Sequence, residues 1–85
     1  MGYWVYILYS PKFDKYYVGQ SSHPQRRLSF HNTIEKGFTS RYRPWELVYM
    51  KEYEIRQEAK SIEQKIKSWK SKIRIKELIN GRIVV

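Results

Sequence analysis

Tyr3-Trp4-Val5-Tyr6-Ile7-Leu8-Tyr9, followed after a turn by Lys15-Tyr16-Tyr17-Val18-Gly19-Gln20, is the stretch that decides the fold. The first run is rich in aromatic and β-branched residues, which suits a strand buried on both faces. Ser10-Pro11-Lys12-Phe13-Asp14 is turn material. The second run therefore pairs back on the first as an antiparallel hairpin. If Tyr6 opposes Tyr17, the two phenols share a face, and any register shifted by two keeps them there. Tyrosine favours strands, so a purely structural pair explains the hairpin equally well. Gly19 ends the second strand and permits a close approach by another backbone or a phosphate.

Working outward, Ser22 with Gln25 three residues on reads as a capping box, and Pro24 suits a first helical turn. The spacing predicts a helix to Glu35 or Lys36, stopped by Gly37. Phe38 to Pro44 reads as a basic loop and Trp45 to Tyr53 as a third strand, with Trp45, Leu47, Tyr49 and Lys51 alternating with Glu46, Val48, Met50 and Glu52. Ile55, Ala59, Ile62, Ile66 and Trp69 form one apolar helical stripe. Ser71 caps a last short helix that ends at Asn80-Gly81. The order β-β-α-β-α-α implies an α+β fold, a small three-stranded antiparallel sheet flanked by helices, in one domain over residues 1–85.

With no cysteine, neither disulfides nor cysteine-zinc sites can brace the chain. Its 3 Trp, 8 Tyr and 3 Phe must help supply the core. No apolar run approaches a membrane span, and the N-terminus lacks the pattern of a signal peptide. The expectation is a soluble, intracellular, cytoplasmic protein with no membrane partner. Net charge is +9, which attracts polyanions, and nucleic acid is the commonest of these inside cells. Lys65, Lys67, Lys70, Lys72, Arg74 and Lys76 crowd one window without an acid. Arg26, Arg27, Lys36, Arg41 and Arg43 form a second basic region.

Arg27 and His31 lie one helical turn apart and face the same way. A guanidinium matches phosphate oxygens and stabilises charge developing on a phosphoryl group. A histidine beside it can move a proton. Taken singly, Arg27 reads as a surface arginine and His31 as a partly exposed helix residue. On the later helix, with Ala59 at zero, Glu63 falls at about +40° and Glu58 at about −100°, both bordering the apolar stripe. Either carboxylate could bind a hard cation such as Mg²⁺ or pair with a lysine, and the angles do not choose.

Taken in order, these elements resemble the GIY-YIG nuclease superfamily, in particular its stand-alone bacterial members. The resemblance rests on Trp4-Val5-Tyr6, Tyr17-Val18-Gly19, Arg26-Arg27-Leu28 with His31-Asn32, the Arg41 to Val48 segment, and Glu63 ahead of Ile66-Lys67-Ser68-Trp69. It spans Tyr3 to Ile79. Trp4 stands where the first motif has glycine, and Val5 and Val18 replace its middle isoleucines. The resemblance implies an endonuclease that hydrolyses phosphodiester bonds, on DNA ahead of RNA, in repair or recombination. It implies one divalent metal, Mg²⁺ ahead of Mn²⁺, held by Glu63 rather than Glu58. Tyr6 and Tyr17 would flank the scissile phosphate, Arg27 would stabilise it, and His31 matches a further active-site position. Gly19, Lys15, Arg26, Arg41, Arg43, Lys67 and Lys70 are the expected nucleic-acid contacts. The competing readings are a non-catalytic basic nucleic-acid-binding module and a scaffold for acidic proteins.

Overall fold

The computed structural model describes residues 2–33 and 37–85. Strands β1 (Tyr3–Ser10) and β2 (Lys15–Ser21) lead into α1 (Pro24–Thr33) and the short α2 (Phe38–Arg41). Strand β3 (Glu46–Tyr53), α3 (Arg56–Trp69) and α4 (Lys72–Ile79) complete the order. The sheet is antiparallel with order β2-β1-β3, so the first strand is central and the second forms an edge. This is the expected α+β architecture, with helices against both faces of a three-stranded sheet.

The central position of β1 explains its unbroken apolar run. Val5, Tyr6, Ile7 and Leu8 are all buried, because alternate residues serve opposite faces and both faces are covered. On one face Val5, Ile7 and Val18 meet Ala59 and Ile66 of α3 and Ile75 and Leu78 of α4. On the other, Tyr6, Leu8 and Trp45 pack with Tyr17, Leu28, Leu47 and Met50. Removing each such large side chain from water stabilises the fold by roughly 1.5–3 kcal/mol.

The hairpin register is Tyr6↔Gly19 and Leu8↔Tyr17, two residues from the Tyr6–Tyr17 pairing. The even shift leaves both tyrosines on one face. The alternation expected in β3 does not hold throughout. The β1–β3 pairing steps from Ile7↔Tyr49 to Leu8↔Leu47, leaving Val48 as the extra residue of a bulge. Leu47 and Met50 then face the Tyr6 side, while Val48 and Tyr49 pack on the other.

Three boundaries also differ. Ile55 is 57% exposed rather than part of the core stripe. It occupies the N-cap of α3 in extended backbone (φ −115°, ψ 132°), so its side chain does not follow the helical face. The Ser22 hydroxyl lies 3.0 Å from His23 Nδ1 instead of closing a capping box with Gln25. The basic loop contains α2, with Gly37 at its N-cap (φ 92°), whereas the expected end of α1 at Glu35 or Lys36 lies outside the described residues. Both ends of α4 are as expected. Ser71 accepts from the Arg74 N–H at 3.3 Å, and Gly81 (φ 81°) allows the Arg82 N–H to reach the Glu77 carbonyl at 2.8 Å. Among the described residues, no helix is long and apolar enough to cross a membrane.

Candidate active site

Tyr6 projects from the central strand towards the β2 edge, and its phenol lies over Gly19. A Cβ built on Gly19 would stand 2.6 Å from the Tyr6 phenolic oxygen. The close approach that Gly19 permits in this structure is thus that of a phenol from the neighbouring strand. Tyr17 stands beside it on the same face, with ring centroids 6.4 Å apart.

Helix α1 supplies the next two groups. Its buried residues are Pro24 and His31 rather than an aliphatic stripe. His31 is 1% exposed, not the partly exposed helix residue its position alone suggests. Its Nε2 lies 3.2 Å from the Tyr6 hydroxyl and its Nδ1 3.1 Å from Thr39 Oγ1. Its ring also packs on Tyr17 at 4.8 Å. A buried imidazole with neither nitrogen bonded would cost several kcal/mol, on the order of 2–7 by transfer scales, so these two contacts make the burial tenable. If Nδ1 carries the proton and donates to Thr39, Nε2 is left to accept from the phenol.

Arg27, one turn earlier, is half-buried, with its guanidinium carbon 4.8 Å from the Phe30 ring centroid. Burial raises the Tyr6 pKa above its ordinary 10.0; Arg27 opposes that rise by hydrogen bonding and charge, and the nearby Tyr17 and Glu63 add to it. The phenol is therefore held protonated by its surroundings, and the adjacent cation is what counteracts them.

Glu63 reaches the same place from α3, the helix on the far face of the sheet. Its charge acts on Tyr6, whereas that of Glu58 acts on Tyr53 of β3. The structure thus separates the two carboxylates that helix angles leave equivalent. Glu63 pairs with Lys67 at 3.3 Å, and its side chain is 16% exposed against 50% for the lysine. Lys67 Nζ also stands 5.9 Å from the Tyr17 ring centroid. Tyr6, Tyr17, Arg27, His31, Glu63 and Lys67 therefore form one cluster at the β2 edge.

Among the described residues, no three His, Asp or Glu side chains converge on one point. A closed protein cage for a metal is not what they form. Mg²⁺ binds through one or two carboxylates and completes its octahedron with water and substrate phosphate. A single half-screened carboxylate beside an open edge fits that demand, with Lys67 as the group already holding it.

The other expected nucleic-acid contacts divide. Lys15, Arg26, Arg41 and Lys70 are exposed on the surface. Arg43 is drawn inward and its Nε donates to the His31 carbonyl at 2.6 Å. Asn32 accepts from the Trp45 N–H at 2.6 Å and donates to its carbonyl at 3.1 Å. These bonds tie the end of α1 to the segment entering β3. The Trp45 indole N–H donates to the Thr39 carbonyl at 2.8 Å and steadies the residue that holds His31. Thr39 was not among the expected site residues. No local pattern marks it, because its part in the site depends on where α2 is packed.

Comparison with known proteins bears on the fold and the family. A solution NMR structure of a UPF0213 protein from Bacillus halodurans superposes with a TM-score of 0.58 at 25% identity, covering 94% of this chain and 84% of that one. The structure-specific endonuclease subunit slx1 of Neurospora crassa is 46% identical over 52 residues, 54% of this chain and 13% of that relative. The chain thus matches only a small part of that longer protein. The model of the GIY-YIG catalytic domain matches residues 2–77, nearly the whole length, and the chain belongs to the GIY-YIG family.

Proposed function

We propose that this protein is a divalent-metal-dependent endonuclease that hydrolyses phosphodiester bonds in nucleic acid, with DNA as its first substrate. The observation that carries the reading is the Tyr6 phenol, 3.2 Å from His31 Nε2 and subject to the opposing influences of Arg27 and Glu63. A purely structural tyrosine does not need an imidazole and a cation at its hydroxyl, with a carboxylate near enough to act on it by charge. Family membership and the nuclease relative support the same reaction class.

In the proposed reaction Tyr6 takes a proton from the attacking water. An unshifted phenol is ionised about once in a thousand at pH 7, a cost of about 4 kcal/mol, and burial increases it. His31 meets that cost by receiving the phenolic proton at Nε2 as Tyr6 takes one from water. Thr39 holds the imidazole so that Nε2 faces the phenol. Tyr17 orients the water or a phosphate oxygen beside it. Arg27 balances charge developing on the phosphoryl oxygens. Glu63 would hold Mg²⁺, which when bound supplies Lewis-acid stabilisation of the phosphoryl and leaving oxygens. Lys67, released from Glu63 in that state, is placed to contact a flanking phosphate. An intracellular role in repair or recombination belongs to the same proposal.

The test is incubation with Mg²⁺ and labelled single-stranded, duplex, flapped and branched DNA, with RNA in parallel. Cleavage that stops when Mg²⁺ is chelated, and is absent in Glu63→Ala, supports the reading. Wild-type binding to all substrates without any cleavage would leave a basic binding module instead.

A further inference from the structure

The hairpin tip opposite α1 carries a feature that the cleavage site does not use. Phe13 is 42% exposed and lies outside the buried cluster on its side of the sheet. It meets Tyr42 edge-on, with centroids 5.3 Å apart and planes at 76°. Tyr42 in turn contacts Trp45, and Trp45 contacts Tyr17, each at 6.4 Å. A run of aromatic rings thus leads from the Tyr17 wall of the site to the tip of the β1–β2 hairpin. Ammonium groups accompany it: Lys12 Nζ is 5.6 Å from the Phe13 centroid and Lys15 Nζ 5.7 Å from that of Tyr42.

The tip is also held in place. Asp14 sits in the left-handed region (φ 52°), and its carboxylate accepts from the Tyr9 hydroxyl at 2.9 Å and from Lys72 Nζ at 3.1 Å. The one acid of the loop is thereby neutralised by α4 and the neighbouring strand. The loop presents an apolar ring between lysines with its shape already set. Core packing does not require so exposed a phenylalanine, and a purely electrostatic contact does not require the ring.

We infer that Phe13 and Tyr42, with Lys12 and Lys15, form a stacking platform for unpaired nucleotides next to the cleavage site. Aromatic faces stack on any base, and lysines between them take the phosphates, which is the chemistry of single-strand binding. Paired bases in a blunt duplex have no free face to offer. The inference rests on the nuclease reading for its substrate class. It assigns to this protein a preference for nucleic acid with an unpaired segment on the hairpin side of the cut.

The experiment is fluorescence anisotropy of the full chain with a labelled single-stranded DNA and a blunt duplex of the same sequence. Salt is fixed and chelator is present so that nothing is cut. Circular dichroism checks that each variant is folded. Phe13→Ala should weaken single-strand binding about tenfold and change duplex binding by less than about twofold. Phe13→Trp should restore binding, and Phe13→Leu should not. Equal weakening of both ligands, no weakening, or rescue by leucine overturns the platform. Cleavage assays with Mg²⁺ keep the two readings apart. A wild type that cuts nothing, while Phe13→Ala still selectively loses single strands, removes the nuclease and keeps the platform. A wild type that cuts, with Phe13→Ala binding single strands normally, does the reverse.

Discussion

Tyr6 and Gly19 face each other across β1 and β2, and the Tyr6 phenol fills the space a side chain at 19 would need. Both Cζ and the hydroxyl would lie 2.6 Å from a Cβ there. The central strand β1 cannot yield easily, because it is buried on both faces. Gly19→Ala should therefore push the phenol away from His31. The expected stability cost is about 1–3 kcal/mol, and the expected loss of cleavage is on the order of 100-fold. Urea denaturation and single-turnover cutting measure the two effects separately.

Thr39 and His31 should behave as a unit. Thr39→Val leaves His31 Nδ1 without its 3.1 Å partner in a buried site and should cost about 1–3 kcal/mol. His31→Gln keeps most of the volume but cannot store the proton, so cutting should fall by about 100-fold or more in a protein that still unfolds cooperatively. If Thr39→Val cuts normally while stability drops, Thr39 supports only the fold.

Much of this arrangement was legible in the sequence. The α3 stripe carries a strong helical periodicity, and the strands read as aromatic and β-branched runs set off by turn residues. Tyr6 and Tyr17 were bound to share a face whichever even register held, which made that part of the site robust to an error of two residues. The place of Glu63 beside Tyr6 rather than Tyr53 was not readable from periodicity, since a helix angle does not say which sheet edge the helix crosses. The burial of His31 was equally hidden. It depends on Thr39 and on bonds from Asn32 and Arg43 to distant backbone, and α1 has no aliphatic stripe to show which face is inward. The Val48 bulge left no signal because both faces of β3 carry apolar side chains.

The pH response follows from the environment of Tyr6. Burial raises its pKa, with Arg27 opposing. A group raised on folding adds stability that is complete below its unfolded value of about 10 and is lost as pH climbs through the higher folded value. Unfolding should thus be promoted only on the strongly alkaline side of this group's titration. Because the relay to His31 starts from the neutral phenol, the cleavage rate should change by less than about twofold between about pH 7 and pH 9, below the raised Tyr6 value. A single-turnover rate climbing about tenfold per unit across that range would mean that pre-ionised phenolate is the base and would remove His31 as the destination of the proton.

In the proposed site Lys67 competes for the carboxylate that would hold the metal. It lies 3.3 Å from Glu63 and beside Tyr17. Lys67→Met should lower the Mg²⁺ concentration for half-maximal cutting by about fivefold, since the lysine end of the pair is half exposed and such a pair contributes about 1 kcal/mol. The same change should weaken nucleic-acid binding and its dependence on salt. Titrating Mg²⁺ at saturating substrate separates the two effects.

Single-turnover cleavage of a labelled branched DNA with Mg²⁺, comparing wild type with Glu63→Gln, decides whether Glu63 serves a metal-dependent nuclease. The substitution keeps the size of the side chain and removes its charge. The wild type should cut in a metal-dependent way and the variant should lose at least about 100-fold, with folding and DNA binding retained; a metal-bound carboxylate at Glu63 requires that loss. Equal cutting by both proteins would contradict it.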